Sequence, residues 1–290
     1  MILPDSTAPA STAPGARLVE LSADHPGFLD TRYRARRDAI ARLALDHRAP
    51  APPQRVDYTP EERALWGRVL ARLLELHAER ADPRTSLHGN ALGLGPDHLP
   101  QLAEVNARLT PRTGFRFAPV AGLVTGRDFL RRLATGSFLS TQYLRHASRP
   151  FYTPEPDLIH ELVGHAAALA HPAIAALHRR FGQVARTLHD PADLARLDRL
   201  YWTTMEFGLT EHRGRLRAFG AGLLSSCAEL EDFETRAEIV DFELGAAVES
   251  PYEPSELQPR LFVLPSLEAL ERDVLRLAGT ASLPADRELT

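Results

Sequence analysis

Two histidines five residues apart constrain this chain more than any other feature. His160 and His165 stand in the segment 153–165, which opens with Thr-Pro-Glu-Pro-Asp and continues as a predicted helix. On a regular α-helix, residues five apart project about 140° away from each other. The two imidazoles can therefore meet one metal ion only where the helix is distorted, for example by a π-bulge or by a helix end. Gly164 lowers the free-energy cost of such a distortion.

A third metal ligand is offered by Glu206, which stands in an apolar and aromatic run further along the chain. Two histidines and a carboxylate, with no cysteine nearby, form the ligand set of a non-haem iron(II) oxygenase, although Zn or Mn would also accept these ligands. A zinc hydrolase of the His-Glu-x-x-His type spaces its histidines at i and i+4, so the i+5 spacing argues against that class. The remaining alternatives are ordinary helix histidines and a metal-free binding module.

Four motifs together resemble the pterin-dependent aromatic amino acid hydroxylases, and most closely the phenylalanine hydroxylases of that family. The motifs follow the family's order and approximate spacing, at 141–146 (TQYLRH), 152–165, 201–209 and 220–226. Similarity is clear from about residue 110 to 265 and loose over the first hundred residues. The resemblance implies a mainly α-helical fold with a few short β-strands, in a single catalytic domain.

The resemblance also implies the cofactors and the residues that contact them. Fe(II) would be held by His160, His165 and Glu206, with a tetrahydrobiopterin-like tetrahydropterin as cofactor and O2 as cosubstrate. The implied pterin-binding positions are Val120, Gly122, Leu123, Phe129 and Glu161. The implied substrate-binding positions are Arg145, Thr153, Pro156, Trp202 and Ser225. Glu161 and Trp202 are the candidate catalytic residues.

Physical chemistry supports several of these roles and leaves alternatives open. A guanidinium such as that of Arg145 can grip an amino acid carboxylate through two parallel hydrogen bonds, although it could also be a surface arginine. The indole of Trp202 can wall an aromatic pocket or belong to the core. Asp157 is either a helix N-cap or an acceptor that orients His160. Glu161 could be a solvated helix carboxylate, and Ser225 a turn residue.

Three positions favour phenylalanine as the substrate. Phenylalanine hydroxylases resemble this chain in having tryptophan at position 202, where tryptophan hydroxylases have phenylalanine. Tyrosine hydroxylases have aspartate where this chain has Pro254. Phe207 together with Ser225 is the pairing associated with attack at the para carbon of the ring. The sequence therefore predicts conversion of phenylalanine to tyrosine, with tryptophan 5-hydroxylation and phenylalanine 3-hydroxylation as alternatives.

Composition narrows the range of partners. The net charge of −4 offers no electrostatic reason to expect nucleic acid or an anionic membrane as a partner. No apolar run has the length of a membrane span, and Cys227 is the single cysteine, which predicts a cytoplasmic protein with no internal disulfide. All 34 basic residues are arginine, which excludes a Schiff-base lysine and a phosphate-loop lysine.

The domain plan predicted from the sequence has three parts. Residues 1–28 are rich in Pro, Ala, Ser and Thr and are predicted to be a flexible tail. The catalytic domain is predicted over 29–280, followed by a C-terminal tail at 281–290. Because little follows the last predicted helix, a monomer or dimer is expected rather than a tetramer.

Local patterns predict mostly helix with little strand. A capping box at Thr59 opens one helix with an apolar face of Leu65, Val69, Leu73 and Leu76. The other helices are predicted at 31–47, 97–109, 128–133, 172–188, 191–207 and 266–277. Strands are predicted at 115–120, 138–143, 216–219 and 260–264.

Overall fold

The computed structural model of the protein describes residues 2–3, 18–251 and 256–279. Two sequence predictions lie outside these residues: the substrate-specifying role of Pro254 and the C-terminal tail at 281–290. Within the described residues helix predominates and the strands are short, as the sequence predicts. No helix among them is both long enough and apolar enough to cross a lipid bilayer.

Eleven α-helices and two π-helices are found in the described part of the chain. The α-helices are α1 (Thr31–Leu45), α2 (Pro60–Arg80), α3 (Leu102–Thr113), α4 (Gly126–Leu133), α5 (Ala167–Leu169), α6 (Pro172–Thr187), α7 (Pro191–Tyr201), α8 (Ala221–Ser225), α9 (Cys227–Arg236), α10 (Leu244–Glu249) and α11 (Leu267–Leu277). The first π-helix is His160–Ala166 and the second is Trp202–Glu206.

The start of α2 shows how the sequence sets a helix end. The Thr59 hydroxyl accepts from the backbone N–H of Glu62 (3.2 Å), and the Glu62 carboxylate accepts from the backbone N–H of Thr59 (2.8 Å). The predicted apolar face of α2 is buried in the core, at Leu65, Val69, Leu73 and Leu76. By contrast, α3 begins at Leu102 rather than at 97, because the Glu104 carboxylate accepts from the N–H of Gln101 and fixes the first turn there.

Eight short strands form three small sheets in the described part of the chain. They are β1 (Ile2–Leu3), β2 (Arg116–Pro119), β3 (Val124–Thr125), β4 (Ser137–Ser140), β5 (Leu209–His212), β6 (Arg215–Ala218), β7 (Glu238–Asp241) and β8 (Arg260–Val263). β1 pairs with β3 and β2 with β4, both in parallel. The third sheet has the order β6-β5-β8-β7, with β5 and β6 antiparallel and the other pairs parallel. The sequence prediction missed β1, β3, β5 and β7.

Residues 18–28 are packed against the domain, although the sequence prediction assigned them to a flexible tail. Val19 and Leu21 are buried against Ala41 of α1. His25 is also buried, and its Nε2 lies 3.1 Å from a carboxylate oxygen of Glu155. Apolar burial and this contact, in which Nε2–H of His25 donates to Glu155, hold the segment against the rest of the described residues. Residues 4–17 of the predicted tail lie outside the described residues.

Candidate active site

The first π-helix carries both candidate histidine ligands. In a π-helix the hydrogen bonds run from residue i to i+5, so residues at that spacing stand one above the other. His160 and His165 accordingly meet, with 3.1 Å between their Nε2 atoms. The distortion that the i+5 spacing predicts is thus present, and it extends over seven residues.

Glu206 reaches the same point from the end of the second π-helix, which continues α7. Its Oε1 lies 3.1 Å from Nε2 of His165, and its Oε2 lies 3.6 Å from Nε2 of His160. The three candidate ligand atoms lie within 4.8 Å of one another. This arrangement could hold one metal ion.

Hydrogen bonding of Ser225 sets the His160 imidazole for metal binding. The Ser225 hydroxyl donates its one proton to the carbonyl of Ala221 (2.8 Å), so its oxygen accepts from Nδ1–H of His160 at 3.0 Å. Nε2 of His160 is therefore the unprotonated nitrogen, and it lies 3.1 Å from Nε2 of His165 and 3.6 Å from Oε2 of Glu206. Asp157 Oδ1 instead accepts from the backbone N–H of His160 (3.1 Å), which identifies Asp157 as the helix cap and Ser225 as the group that orients the ring.

The charges at the three residues suit a divalent cation. Burial, opposed by the charge of Glu206, lowers the pKa of the His160 imidazole well below its usual range, which keeps this ligand neutral. Burial alone would raise the pKa of Glu206, but His165 and His160 lower it to about 2. A neutral His160 imidazole beside an ionised carboxylate fits Fe(II).

Gly164 is required by the close approach of α8 to the first π-helix. A Cβ at position 164 would lie 2.7 Å from the carbonyl oxygen of Ala221 and 2.9 Å from its Cα. We expect Gly164→Ala to lower the free energy of unfolding by about 1–3 kcal/mol, because backbone must move to admit the methyl group. Denaturant unfolding measures this loss. Since α8 also carries Ser225, iron binding measured on the same samples should weaken.

Gly95→Ala is the matched control for this substitution. A Cβ at Gly95 would meet no atom within 4 Å, and its φ is not in the left-handed region. It should leave both stability and iron binding close to those of the unsubstituted protein. Equal losses in the two variants would contradict the packing argument.

Arg145 forms a buried ion pair with Asp157. Its Nε donates to Oδ2 (3.0 Å) and its Nη2 to Oδ1 (2.8 Å), and both side chains are almost fully buried. The inner edge of the guanidinium is therefore occupied. The groups left to bind a substrate carboxylate are Nη1 and the second N–H of Nη2. Nη1 also makes long contacts of 3.3 Å to the carbonyls of Pro150 and Ser225.

A cavity lies beside these groups and is called here the arginine cavity. Its wall contains every predicted substrate-binding residue: Arg145, Thr153, Pro156, Trp202 and Ser225. It is bordered by His160 and Glu206, and it also contains Phe207. The Trp202 and Phe207 rings lie 4.9 Å apart and form an aromatic wall, and the Trp202 Nε1–H donates to Gln258 (3.0 Å), which fixes the indole.

A second cavity, called the glycine-loop cavity, reaches the same three candidate ligands from another side. Its wall contains every predicted pterin-binding residue: Val120, Gly122, Leu123, Phe129 and Glu161. The Phe129 ring is mostly buried, and it packs edge-on against Phe138 (5.2 Å) and Tyr201 (5.5 Å). Only the small remaining part of that ring is open to a ligand in this cavity.

Glu161 is buried, so it is not a solvated helix carboxylate. Its Oε1 accepts from the backbone N–H (3.3 Å) and the hydroxyl (3.4 Å) of Thr141. Burial raises the pKa of the Glu161 carboxyl to about 7. Near neutral pH the group can therefore accept a proton from, or donate one to, a ligand in the glycine-loop cavity.

Phe138 and Glu229 are among the cavity-lining residues that the sequence prediction missed. Phe138 lines the glycine-loop cavity, and its ring lies 4.5 Å from that of His165. The strand predicted at 138–143 includes Phe138, but the sequence pattern did not indicate that this ring lies beside His165. Glu229 lines the arginine cavity, and the one local signal that could have drawn attention to it is its place three residues after Ser226, which is typical of a helix start.

Comparison with known proteins decides the family. Residues 16–285 match the family described as biopterin-dependent aromatic amino acid hydroxylase. The chain belongs to this family. It is 42% identical to tyrosine 3-monooxygenase of Rattus norvegicus over 271 residues and 39% identical to phenylalanine-4-hydroxylase of Bos taurus over 270 residues, in each case over 91% of this chain. The chain spans 54% and 60%, respectively, of the lengths of these relatives.

A solved structure shows the same fold. The crystal structure of phenylalanine hydroxylase from Chromobacterium violaceum, which has bound iron(III) and oxidised 7,8-dihydrobiopterin, is similar with a TM-score of 0.71. It is 31% identical, and the match covers 76% of this chain and 82% of that one. This likeness confirms the single-domain hydroxylase fold predicted from the sequence.

Proposed function

We propose that this protein hydroxylates the aromatic ring of L-phenylalanine to give L-tyrosine, using Fe(II), a tetrahydropterin and O2. Family membership supports an aromatic amino acid hydroxylase. Relatives that act on phenylalanine and on tyrosine match at nearly the same identity, so the choice of substrate needs an argument from the site. The choice of phenylalanine over tyrosine follows from Pro254, which stands where tyrosine hydroxylases have aspartate. The wall of Trp202 and Phe207 beside the candidate metal ligands supports an aromatic ring as the group that reacts.

The arginine cavity is the proposed substrate site. An aromatic ring packed on the indole of Trp202 would lie next to His160 and Glu206, which border the same cavity. Arg145 would bind the α-carboxylate with the outer edge of its guanidinium, while Asp157 holds the inner edge. Thr153 and Pro156 line the cavity and would limit how the substrate can turn. These contacts position the ring rather than change its electronics.

The glycine-loop cavity is the proposed pterin site. Backbone groups of Gly122 and Leu123 would form hydrogen bonds with the edge of the pterin ring, and Val120 and Phe129 would contact the ring. Glu161 would exchange a proton with it. When bound at His160, His165 and Glu206, iron supplies the activation of O2 together with the reduced pterin. The protein contributes two neighbouring cavities that open on one metal position, so both organic reactants can approach it.

The proposal also covers the compartment, the assembly and the partners of the protein. The cytoplasm is the proposed compartment, since the one cysteine, Cys227, is buried and free. A monomer or dimer is the proposed assembly. The proposed partners are small molecules, and the net charge of −4 offers no attraction for nucleic acid.

Product analysis tests the proposed reaction. The protein is loaded with Fe(II), supplied with tetrahydrobiopterin in air, and given phenylalanine, tyrosine or tryptophan in turn. We expect para-tyrosine from phenylalanine, dependent on the pterin, at a kcat/KM at least about tenfold above those for the other two amino acids, a difference of about 1.4 kcal/mol. Chromatography with mass spectrometry identifies each product.

The other outcomes separate the alternatives. meta-Tyrosine, or a faster reaction with tyrosine or tryptophan, would keep the family chemistry and overturn the choice of phenylalanine and of the para carbon. Reactions without pterin and with zinc in place of iron serve as controls. No product from any amino acid by the iron-loaded protein would contradict the proposed function as a whole.

A further inference from the structure

Among the described residues, four glutamates line the arginine cavity. Three of them have a charged partner, a place in the candidate metal site, or contact with solvent. Glu155 is bound by Arg37, with 3.0 Å between Nη2 and Oε2. Glu206 faces the two histidines. Glu256 is exposed to solvent. The fourth, Glu229, is 4% exposed and, within the described residues, has neither a positively charged partner nor a place in the candidate metal site.

The Glu229 carboxylate does not bond to the backbone N–H of the residue that caps α9. Ser226 caps α9 by accepting from the N–H of Glu229 (3.3 Å), and a Ser-x-x-Glu start would normally return the glutamate side chain to the serine N–H. Here the Ser226 N–H donates instead to the carbonyl of Leu223 (3.3 Å). The capping box is therefore not closed by that bond, and the Glu229 side chain lines the cavity.

The partners of the Glu229 carboxylate are uncharged. Its Oε1 accepts a long hydrogen bond of 3.4 Å from the N–H of Gln258, and the Ser226 hydroxyl also bonds to it. In the described part of the chain no arginine or histidine forms an ion pair with it. Burial raises the pKa of this carboxyl to about 7, while the charge of Arg236 acts in the opposite direction. A buried carboxylate without a cation is costly, and a cationic ligand group would offset that cost.

We infer that Glu229 accepts the α-ammonium group of the amino acid substrate and so selects amino acids over the corresponding acids. This inference rests on the proposed function, because it uses the arginine cavity as the substrate site. The ammonium and carboxylate groups of an amino acid are attached to the same carbon, so their receptors must be neighbours. Arg145 and Glu229 line the same cavity. Nη1 of Arg145 also contacts the carbonyl of Ser225, the residue that precedes the α9 cap, so the two side chains approach the cavity from the same end of α9.

The charges around the cavity agree with this assignment. Arg145 is already matched by Asp157, and Glu155 by Arg37. Glu229 is the buried carboxylate of the cavity that lacks a cationic partner in the described residues, and a substrate ammonium group would supply that cation. A hydrogen bond between two charged groups in a site of this kind changes binding by about 10- to 100-fold.

The test compares L-phenylalanine with 3-phenylpropionate, which has the same ring and carboxylate but no ammonium group. Dissociation constants are measured by calorimetry on the iron-loaded protein and on its Glu229→Gln variant. We expect the variant to bind phenylalanine about 10- to 100-fold more weakly and to bind 3-phenylpropionate as well as or better than the unsubstituted protein. The preference for the amino acid should therefore nearly vanish.

Glu234→Gln is the matched control, since Glu234 is an exposed glutamate on the same helix and outside the cavity wall. It should leave both dissociation constants unchanged. Equal weakening of both ligands in Glu229→Gln would show a merely structural role and overturn the inference. Unchanged binding of phenylalanine in that variant would overturn it as well.

The inference can fail separately from the proposed function, because it concerns the ammonium group and not the ring. If the protein acts on tyrosine or tryptophan instead, the same comparison is made with that amino acid and its desamino acid. A lost preference in Glu229→Gln would then still support Glu229 as the ammonium acceptor. An iron-loaded protein that neither binds nor hydroxylates any of the three amino acids would overturn both.

Discussion

Replacing Glu206 with alanine is expected to leave the purified protein without bound iron and without hydroxylase activity. Glu206 offers the one carboxylate of the three-residue site, with oxygens 3.1 Å and 3.6 Å from the histidine nitrogens. Without it, two imidazoles remain, and no other carboxylate in the described residues joins this cluster. The loss of activity should exceed the roughly 10- to 100-fold that follows from removing a group outside the ligand shell.

Glu161→Gln is the control that separates metal binding from general damage to the site. Glu161 is also buried, and like Glu206 it lines the glycine-loop cavity. It bonds to Thr141, however, and is not one of the candidate ligands. We expect this variant to keep its iron, with a raised KM for the pterin. Iron content by mass spectrometry and steady-state rates measure both variants. Retention of stoichiometric iron by Glu206→Ala would contradict the assignment of the metal site.

The sequence predicted the helix distortion that brings the candidate metal ligands together, because the spacing of the two histidines carries geometric information. Histidines at i and i+5 cannot face one ion from a regular helix, so a distortion was required, and the first π-helix provides it. The second π-helix, at Trp202–Glu206, was not predicted. A single glutamate has no spacing to a partner, so nothing in the local pattern distinguishes it from a continuation of α7.

Contacts between distant parts of the chain could not be predicted in the same way. The bond between Ser225 and His160 joins residues 65 apart, and the pattern near Asp157 left its role open between a cap and a support for the ring. Short strands were missed for a different reason. β7 has only four residues, Glu238–Asp241, and an acidic residue at each end, so no apolar alternation marks it.

The segment at 18–28 was misjudged because composition was averaged over 1–28. The first residues are rich in Pro, Ala, Ser and Thr, which hides the apolar Val19 and Leu21 that follow. The buried hydrogen bond of His25 with Glu155 joins two distant parts of the chain, so it leaves no local pattern.

Replacing Arg145 with glutamine is expected to reduce both stability and substrate binding. The carboxylate of Asp157 is fully buried, and it would lose the two hydrogen bonds from the Arg145 guanidinium. Leaving one member of a buried ion pair unpaired costs about 3–5 kcal/mol. We also expect the KM for phenylalanine to rise by at least about tenfold, because a charged hydrogen bond to the substrate carboxylate is lost. Denaturant unfolding and steady-state kinetics measure the two effects.

A double variant, Arg145→Gln with Asp157→Asn, separates these effects. It removes both charges of the pair, so no uncompensated charge stays buried, and much of the lost stability should return. The asparagine introduced by the second substitution can still accept from the backbone N–H of His160 through its side-chain oxygen, which preserves the cap. Its NH2 group then faces the backbone N–H of residue 145, which Oδ2 of Asp157 accepts at 2.7 Å, so the recovery of stability should be incomplete. The guanidinium remains absent, so the KM for phenylalanine should stay high. Recovery of both stability and KM in the double variant would mean that Arg145 acts only through the fold, whereas recovery of stability alone supports direct contact with the substrate carboxylate.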